Sequence, residues 1–156
     1  MKIYRGNVSA KGLRIAIVGS CFNLAIADAL VSGAQDTFIK YGGDPELLTT
    51  VRVPGAFEIP CTVKKLLLSF PDQYHAIVTC GVLIRGETTH YDHIADQVSA
   101  GVAKLSLDFC VPITFSIITA PDPATAWERA GIKGGHIGSS GMVTAIEMAT
   151  LFSQIS

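Results

Sequence analysis

The sequence predicts a three-layer α/β/α fold, in which helices cover both faces of a mainly parallel sheet. The first observation is a set of short, strongly apolar runs rich in β-branched residues, which are typical of strands buried on both faces. The second is that segments with apolar residues at three- and four-residue steps follow these runs, as amphipathic helices do. Alternating strands and helices indicate parallel strands joined by crossover helices.

The first half of the chain carries two strand and helix pairs. The first strand, at residues 13–20, leads into a helix with Asn23 as its N-cap and Gly42 after its end. The second strand, at residues 47–53, ends at a Pro-Gly turn, and a helix is expected over residues 57–70.

The second half repeats this pattern. The third strand is expected at residues 75–86, and the helix after it lasts to about Asp108. A short helix should begin with Asp122 as its N-cap and Pro123 in its first turn. The fourth strand is expected at residues 112–119 and this short helix at residues 121–131. The closing helix is expected at residues 139–155.

Length and composition limit the class of protein. The 156 residues are expected to form a single domain, residues 1–156. Hydrophobic residues make up 49% of the chain, more than a monomer of this size usually hides, which favours a homo-oligomer. The net charge is −1 and the basic residues are scattered, so we expect a small-molecule partner and no nucleic acid. The apolar runs are too short to span a membrane and no secretory signal is evident, so a cytoplasmic protein is expected.

The cysteines are expected to be buried thiols. Cys21, Cys61, Cys80 and Cys110 are widely separated, and each lies in or beside an apolar run. That spacing favours neither a disulfide framework nor a metal-binding knuckle.

Polar clusters follow each of the predicted strands. They lie at residues 20–23, 54–58, 85–92 and 119–123. Because ligands of parallel α/β sheets bind beyond the carboxyl ends of the strands, these clusters are predicted to share one site.

The third cluster, residues 85–92, contains the side chains best suited to catalysis or metal binding. Thr88 or Thr89, followed by Asp92, resembles a capping box at a helix start. His90 then falls in the first turn, where the helix dipole disfavours imidazolium and keeps the ring a neutral proton acceptor. The alternative interpretation is a surface histidine at a helix start. A metal site of His90, Asp92 and His93 is a weaker hypothesis, because Asp92 points away from the face that the two histidines can share.

Other residues could bind a phosphate or a heterocycle. Gly86 and the free N–H groups of Glu87 and Thr88 at the helix start could hold a phosphate, with Arg129 completing the site. Arg129 could instead be an exposed helix charge. Phe22 is either a core residue or an aromatic ring on which a heterocycle can stack. Glu58 either belongs to the site or only stabilises the first turn of its helix as a negative charge.

Five motifs in this order and spacing resemble the lumazine synthase family. They are "FN", "VPGAFEIP", "GVLIRGETTHYDHI", "ERAG" and "AIEMATL", at residues 22–23, 53–60, 81–94, 128–131 and 145–151. The resemblance runs from about residue 13 to residue 151. It implies a flavodoxin-like three-layer fold and a transferase without a cofactor or metal.

The implied reaction is the penultimate step of riboflavin biosynthesis. It condenses 5-amino-6-(D-ribitylamino)uracil with 3,4-dihydroxy-2-butanone 4-phosphate to 6,7-dimethyl-8-ribityllumazine, phosphate and water. A non-catalytic cage protein that binds lumazine or flavin on the same fold is the alternative. The presence of both His90 and Arg129 argues against it, since binding a heterocycle requires neither.

The resemblance also implies a role for each site residue. His90 is the implied general acid/base, and Phe115 is implied to reach the site of a neighbouring subunit. The residues implied to bind the uracil ring and its ribityl chain are Phe22, Ala56, Phe57, Glu58, Val82, Leu83 and Ile84. The residues implied to bind the phosphate are Glu87, Thr88 and Arg129.

Assembly follows from the same resemblance. The family forms pentamers with active sites between neighbours, and some members close into an icosahedral shell of 60 chains. The short connection at residues 131–138 favours the shell. An association with riboflavin synthase is expected as well.

Overall fold

The computed structural model describes residues 1–155 and contains a parallel sheet with helices on both faces. The strands are β1 (Ile15–Ser20), β2 (Leu48–Val53), β3 (Ala76–Ile84) and β4 (Ile113–Ala120). Their order in the sheet is β2-β1-β3-β4, and every neighbouring pair is parallel. The predicted three-layer fold is confirmed, and each strand begins and ends within two residues of its expected bounds.

The helices follow the strands as the periodicity predicts. They are α1 (Leu24–Lys40), α2 (Ile59–Ser69), α3 (His90–Phe109), α4 (Pro123–Arg129) and α5 (Ile137–Ile155). A 3-10 turn at Ala56–Glu58 precedes α2, where the sequence predicted the helix itself to begin. None of the helices within residues 1–155 is long and apolar enough to cross a membrane.

The central strand β1 separates two hydrophobic layers. Ile15 and Ile17 point into the cluster formed with α1 and α5, whereas Ala16 and Val18 belong to the cluster on the side of α2 and α3. All four are fully buried. Full burial of an isoleucine contributes on the order of 1.5–3 kcal/mol, so both layers depend on this strand.

The strand order reverses beside β1. The chain passes from β1 to β2 on one side and then crosses over to β3 on the other. In a doubly wound sheet the crossover helices on the two sides of this point diverge and leave a crevice beyond the strand ends. The carboxyl ends of β1 and β3 are therefore the expected ligand position.

Helix caps show which local predictions hold. The Asp122 carboxylate accepts a hydrogen bond of 2.7 Å from the Thr125 N–H, and Pro123 occupies the first turn of α4, as predicted. The bond from Thr125 lowers the pKa of Asp122. Asn23 also occupies the predicted cap position of α1, but its backbone is left-handed (φ 54°) and its side chain makes no capping bond.

The prediction that all the cysteines are buried is wrong. Cys80 in β3 is buried, but Cys21, Cys61 and Cys110 are exposed free thiols. The three exposed residues belong to a strand end, an outward helix face and a helix end, where an apolar neighbourhood in the sequence does not produce burial. Burial raises the pKa of the Cys80 thiol to about 12, against the opposing effect of the Arg52 charge.

Candidate active site

A cavity of about 380 Å³ opens at the carboxyl ends of β1 and β3. Its size is that of a small-molecule site. Most of the predicted binding and catalytic residues line it, namely Phe22, Ala56, Phe57, Glu58, Val82, Leu83, Ile84, Thr88 and His90. Three of the four polar clusters thus meet at one place, whereas the cluster at residues 119–123 contributes nothing to this wall.

Two aromatic rings stand at the mouth of the cavity. Phe22 is 69% exposed and Phe57 is 56% exposed, although both belong to the cavity wall. Backbone hydrogen bonds hold the segment before α1 in place: the Phe22 N–H donates to the Pro54 carbonyl at 2.9 Å. Phe22 is therefore not a core residue, and its ring is available to a flat ligand.

Glu58 both stabilises its turn and lines the cavity. Its Oε2 accepts a hydrogen bond from the Gly55 N–H at 2.9 Å, and its own N–H donates to the Gly55 carbonyl at 3.2 Å. This reciprocal pair closes the 3-10 turn at Ala56–Glu58. The carboxylate is thereby held in one orientation with its second oxygen free to accept another hydrogen bond.

The end of β3 forms an apolar part of the wall. Val82 is buried, and Leu83 and Ile84 are half-buried. Because Leu83 and Ile84 pair with Thr119 and Ala120 of β4, their backbone is fixed by the sheet. A ring that stacks at the cavity mouth would meet a rigid edge here.

His90 is the first residue of α3, and its exposed side chain lines the cavity. This confirms its predicted position in the first turn. The predicted capping box is wrong, however, because Thr89 makes no side-chain capping bond. Its backbone is already helical (φ −72°, ψ −1°), whereas an N-cap residue needs an extended backbone to reach the amides of the first turn.

Asp92 has a different partner from the one predicted. Its Oδ1 lies 3.0 Å from Nη2 of Arg85, across the loop that joins β3 to α3. Within residues 1–155, no three His, Cys, Asp or Glu side chains come together as they would around a metal ion. The weaker hypothesis of a metal site from His90, Asp92 and His93 therefore gains no support from the geometry.

Three predicted residues lie outside the cavity wall of the single chain: Glu87, Phe115 and Arg129. Phe115 is 41% exposed on the edge strand β4. Arg129 donates from Nη1 to the Thr119 carbonyl at 2.9 Å, at the carboxyl end of the same strand. The fold of one chain thus leaves both residues exposed on the β4 side of the sheet: Arg129 at the carboxyl end of the strand, and Phe115 opposite Thr79, five residues before the end of β3.

Five further residues line the cavity, four of them within the predicted polar clusters at residues 20–23, 54–58 and 85–92. They are Asn23, Gly55, Gly86, Tyr91 and Ile94. Ile94 could have been found from its spacing, since it lies one helical turn after His90 and so shares its face. Tyr91 lies in the cluster at residues 85–92, but its position next to His90 does not by itself show that its side chain meets the cavity.

A doubly wound α/β protein with a largely apolar cavity at the point where the strand order reverses is the class that this fold and site define. The sequence profile of the 6,7-dimethyl-8-ribityllumazine synthase family matches residues 12–153. The chain belongs to this family.

Relatives extend the match over almost the whole chain. The protein named 6,7-dimethyl-8-ribityllumazine synthase from Chlamydia trachomatis serovar D is 68% identical over 155 residues, covering 99% of this chain and 98% of the relative. Proteins of the same name from Chlamydia pneumoniae and Chlamydia abortus are 66% and 67% identical, and the match covers 99% of this chain and 100% of each relative. The resemblance seen in the five motifs is confirmed, and an enzyme is favoured over a non-catalytic binding protein.

Proposed function

We propose that this protein is the transferase that condenses 5-amino-6-(D-ribitylamino)uracil with 3,4-dihydroxy-2-butanone 4-phosphate to 6,7-dimethyl-8-ribityllumazine. Membership of the lumazine synthase family supports this reaction. The single structural observation that carries it is that His90 shares one cavity with the exposed ring of Phe22 and the oriented carboxylate of Glu58.

The uracil is bound at the cavity mouth in this proposal. Its ring stacks on Phe22, and the ribityl chain runs past Ala56, Phe57 and Glu58, whose carboxylate accepts hydrogen bonds from hydroxyl groups. The ring edge meets Val82, Leu83 and Ile84 at the end of β3. The exposure of Phe22 and the fixed backbone of β3 support this arrangement.

The chemistry proceeds by addition, elimination and proton transfer. The primary amine of the uracil adds to the butanone carbonyl and water leaves to form a Schiff base. A proton is then lost as the phosphate departs, and the resulting enol becomes a ketone. The ribitylamino nitrogen adds to this ketone and a second water leaves, which closes the ring. A neutral imidazole beside the leaving group can accept and return these protons, which is the role proposed for His90. No step involves electron transfer, so the proposal includes no cofactor. Juxtaposition of the two substrates supplies much of the acceleration.

The phosphate is bound by the loop before α3 and by Arg129. Glu87 and Thr88 lie just before the start of α3, where anions are favoured. Arg129 is anchored to the Thr119 carbonyl, and the Arg85 N–H that begins the loop is bonded to the next carbonyl, that of Ala120. These adjacent anchors support a shared role for the arginine and the loop in binding the phosphate.

The proposed active unit is a homo-oligomer, a pentamer that can close into a 60-chain icosahedral shell. In it Phe115 completes the site of a neighbouring subunit. The exposure of Phe115, Leu107 and Ile132 supports a further packing partner, since large apolar side chains are usually covered in the working protein. We also propose that residues 1–156 act as one domain in the cytoplasm and associate with riboflavin synthase, which uses the product.

The proposal is tested by incubating the pure protein with both substrates and following the fluorescence of the lumazine. Product that forms in proportion to enzyme, faster than in a matched mixture without protein, is the expected result. Binding of ribityllumazine without any turnover would instead support the non-catalytic cage protein.

A further inference from the structure

The loop between β3 and α3, residues 85–89, is held by its first side chain, that of Arg85, which lies outside the cavity. We infer that Arg85 is a positioning residue, which holds Tyr91 and Asp92 in the first turn of α3 and thereby fixes His90, the residue just before them. The inference rests on the proposed function and adds a residue to its machinery.

The contacts of Arg85 span the loop. Its guanidinium lies 3.0 Å (Nη2) from Oδ1 of Asp92 and 5.3 Å (Cζ) from the centre of the Tyr91 ring. Its backbone N–H donates to the Ala120 carbonyl at 2.9 Å, so the residue is itself anchored to the sheet. A planar guanidinium can serve a carboxylate at its edge and an aromatic ring at its face, which an ammonium group does less well.

The loop has few other attachments. Residues 85–90 are all exposed, and a side chain at Gly86 would meet open space. Within residues 1–155, the side chains of Glu87 and Thr89 make no hydrogen bond, and Thr88 offers His90 only a long one of 3.4 Å. Thr89 makes no side-chain capping bond, so the Arg85–Asp92 ion pair is the polar side-chain contact that joins the first turn of α3 to the end of β3, beside the apolar packing of Ile94 on the core.

Tyr91 links the Arg85 contacts to the cavity. Its ring lines the cavity wall, beside His90, and also contacts the guanidinium. Loss of the Arg85 contacts would therefore loosen both the part of the cavity wall formed by Tyr91 and the first turn of α3. A general acid/base must stay within hydrogen-bond reach of its proton, so a small displacement of His90 reduces proton transfer. Stacking on Phe22, at the other wall, would be retained.

A direct role of Arg85 as a phosphate ligand makes a different prediction for its partner. If Arg85 acted through its charge on the phosphate, Asp92→Asn would remove a competing anion and leave phosphate binding unchanged or tighter. If Arg85 acts by positioning, Asp92→Asn breaks the same tie as Arg85→Gln and produces the same defect. The sign of the Asp92→Asn effect separates the two roles.

The experiment compares Arg85→Gln, Asp92→Asn, the double variant and Arg85→Lys in steady-state kinetics, with each substrate varied separately. We expect each single change to lower kcat about tenfold with the KM of the uracil unchanged, because His90 is displaced while stacking persists. The kcat of the double variant should be no lower than that of either single variant, since the same Arg85–Asp92 ion pair is lost in all three. Arg85→Lys should recover only part of kcat.

A matched control lies further along the same helix. Lys104 and Asp108 form an exposed ion pair of 2.8 Å on α3, away from the cavity. Lys104→Gln and Asp108→Asn, with the same charge changes, should leave kcat unchanged. Equal kinetics in wild type and Arg85→Gln, or tighter phosphate binding in Asp92→Asn, would overturn the inference.

A readout independent of turnover keeps the inference separate from the proposed function. Amide hydrogen exchange of residues 86–92 should be faster in Arg85→Gln and Asp92→Asn than in wild type, with exchange in β3 unaltered. Unchanged exchange in this segment would overturn the inference even in an active enzyme. Absence of turnover in wild type would overturn the proposed function and leave the exchange result to decide the role of Arg85.

Discussion

The imidazole of His136 occupies the space beside Gly33 of α1 that any side chain at position 33 would need. Two hydrogen bonds reinforce this contact. The Ser139 N–H donates to Nδ1 of His136 at 3.1 Å, and the Ser139 hydroxyl donates to the Gly33 carbonyl at 3.1 Å. The start of α5 is thus locked onto α1 through residues about a hundred positions apart in the chain.

Gly33→Ala should destabilise the fold. Alanine normally stabilises a helix interior relative to glycine by about 1 kcal/mol, but here the methyl group would displace His136, at a cost of about 1–3 kcal/mol. Urea unfolding measures the difference. Ser32→Ala, at an exposed position of the same helix, is the control and should be neutral or stabilising. A Gly33→Ala protein more stable than wild type would show that His136 does not need this space.

His90→Ala should lower kcat by roughly 10²- to 10⁴-fold, with the smaller value favoured because substrate juxtaposition survives. The KM values should change little. Steady-state kinetics with each substrate varied in turn checks this. His93→Ala, an exposed histidine of the same helix that does not line the cavity, is the matched control. A His90→Ala enzyme with the kcat of wild type would assign proton transfer to another group or to water.

Arg129→Ala should raise the KM of the butanone phosphate and spare that of the uracil. Loss of a charge-assisted bond to the phosphate corresponds to roughly a 10- to 100-fold weaker contact. Initial rates over a range of butanone phosphate concentrations measure it. Lys133→Ala removes a neighbouring exposed cation, paired with Glu128 at 3.4 Å, and controls for net charge. Equal defects for both substrates would contradict a specific phosphate contact.

Phe115→Ala and His90→Ala should complement each other when both chains are produced in one cell. If Phe115 serves the site of a neighbour, some sites of a mixed oligomer contain both native residues, roughly a quarter with equal random mixing. Differently tagged chains allow the mixed oligomer to be purified and assayed. Activity no higher than the average of the two single variants would mean that Phe115 and His90 belong to the same chain's site, or that Phe115 has no part in it.

Cys80 should make the protein less stable in alkali. Burial raises the thiol pKa from 9.0 to about 12, so the unfolded chain loses this proton first as pH rises. The free energy of unfolding should be unaffected by Cys80 below the unfolded pKa of 9.0 and should fall as pH rises from there towards about 12. Urea unfolding between about pH 8 and pH 10 should show a steeper decline in wild type than in Cys80→Ala. Parallel pH profiles would contradict a buried neutral thiol.

Local patterns in the sequence determined the elements and the place of the site. The apolar run of β1 predicts burial on both faces, and Asp122 and Thr125 are close enough in the chain for their capping bond to form within one helical turn. Polar clusters after the strands predict a common site because parallel strands end at the same edge of a sheet. The family motifs implied a role for each residue, which no local pattern contains.

Tertiary structure alone decided which side chains meet across the fold. Asp92 pairs with Arg85 because the loop returns the arginine to the helix start, and Thr89 makes no capping bond because its own backbone is already helical. Three cysteines are exposed since burial depends on what packs against a residue and not on its neighbours in the chain. The contact of Gly33 with His136 likewise exists only once α5 lies on α1: periodicity specifies which face of a helix is apolar, but the partner of that face is set by packing.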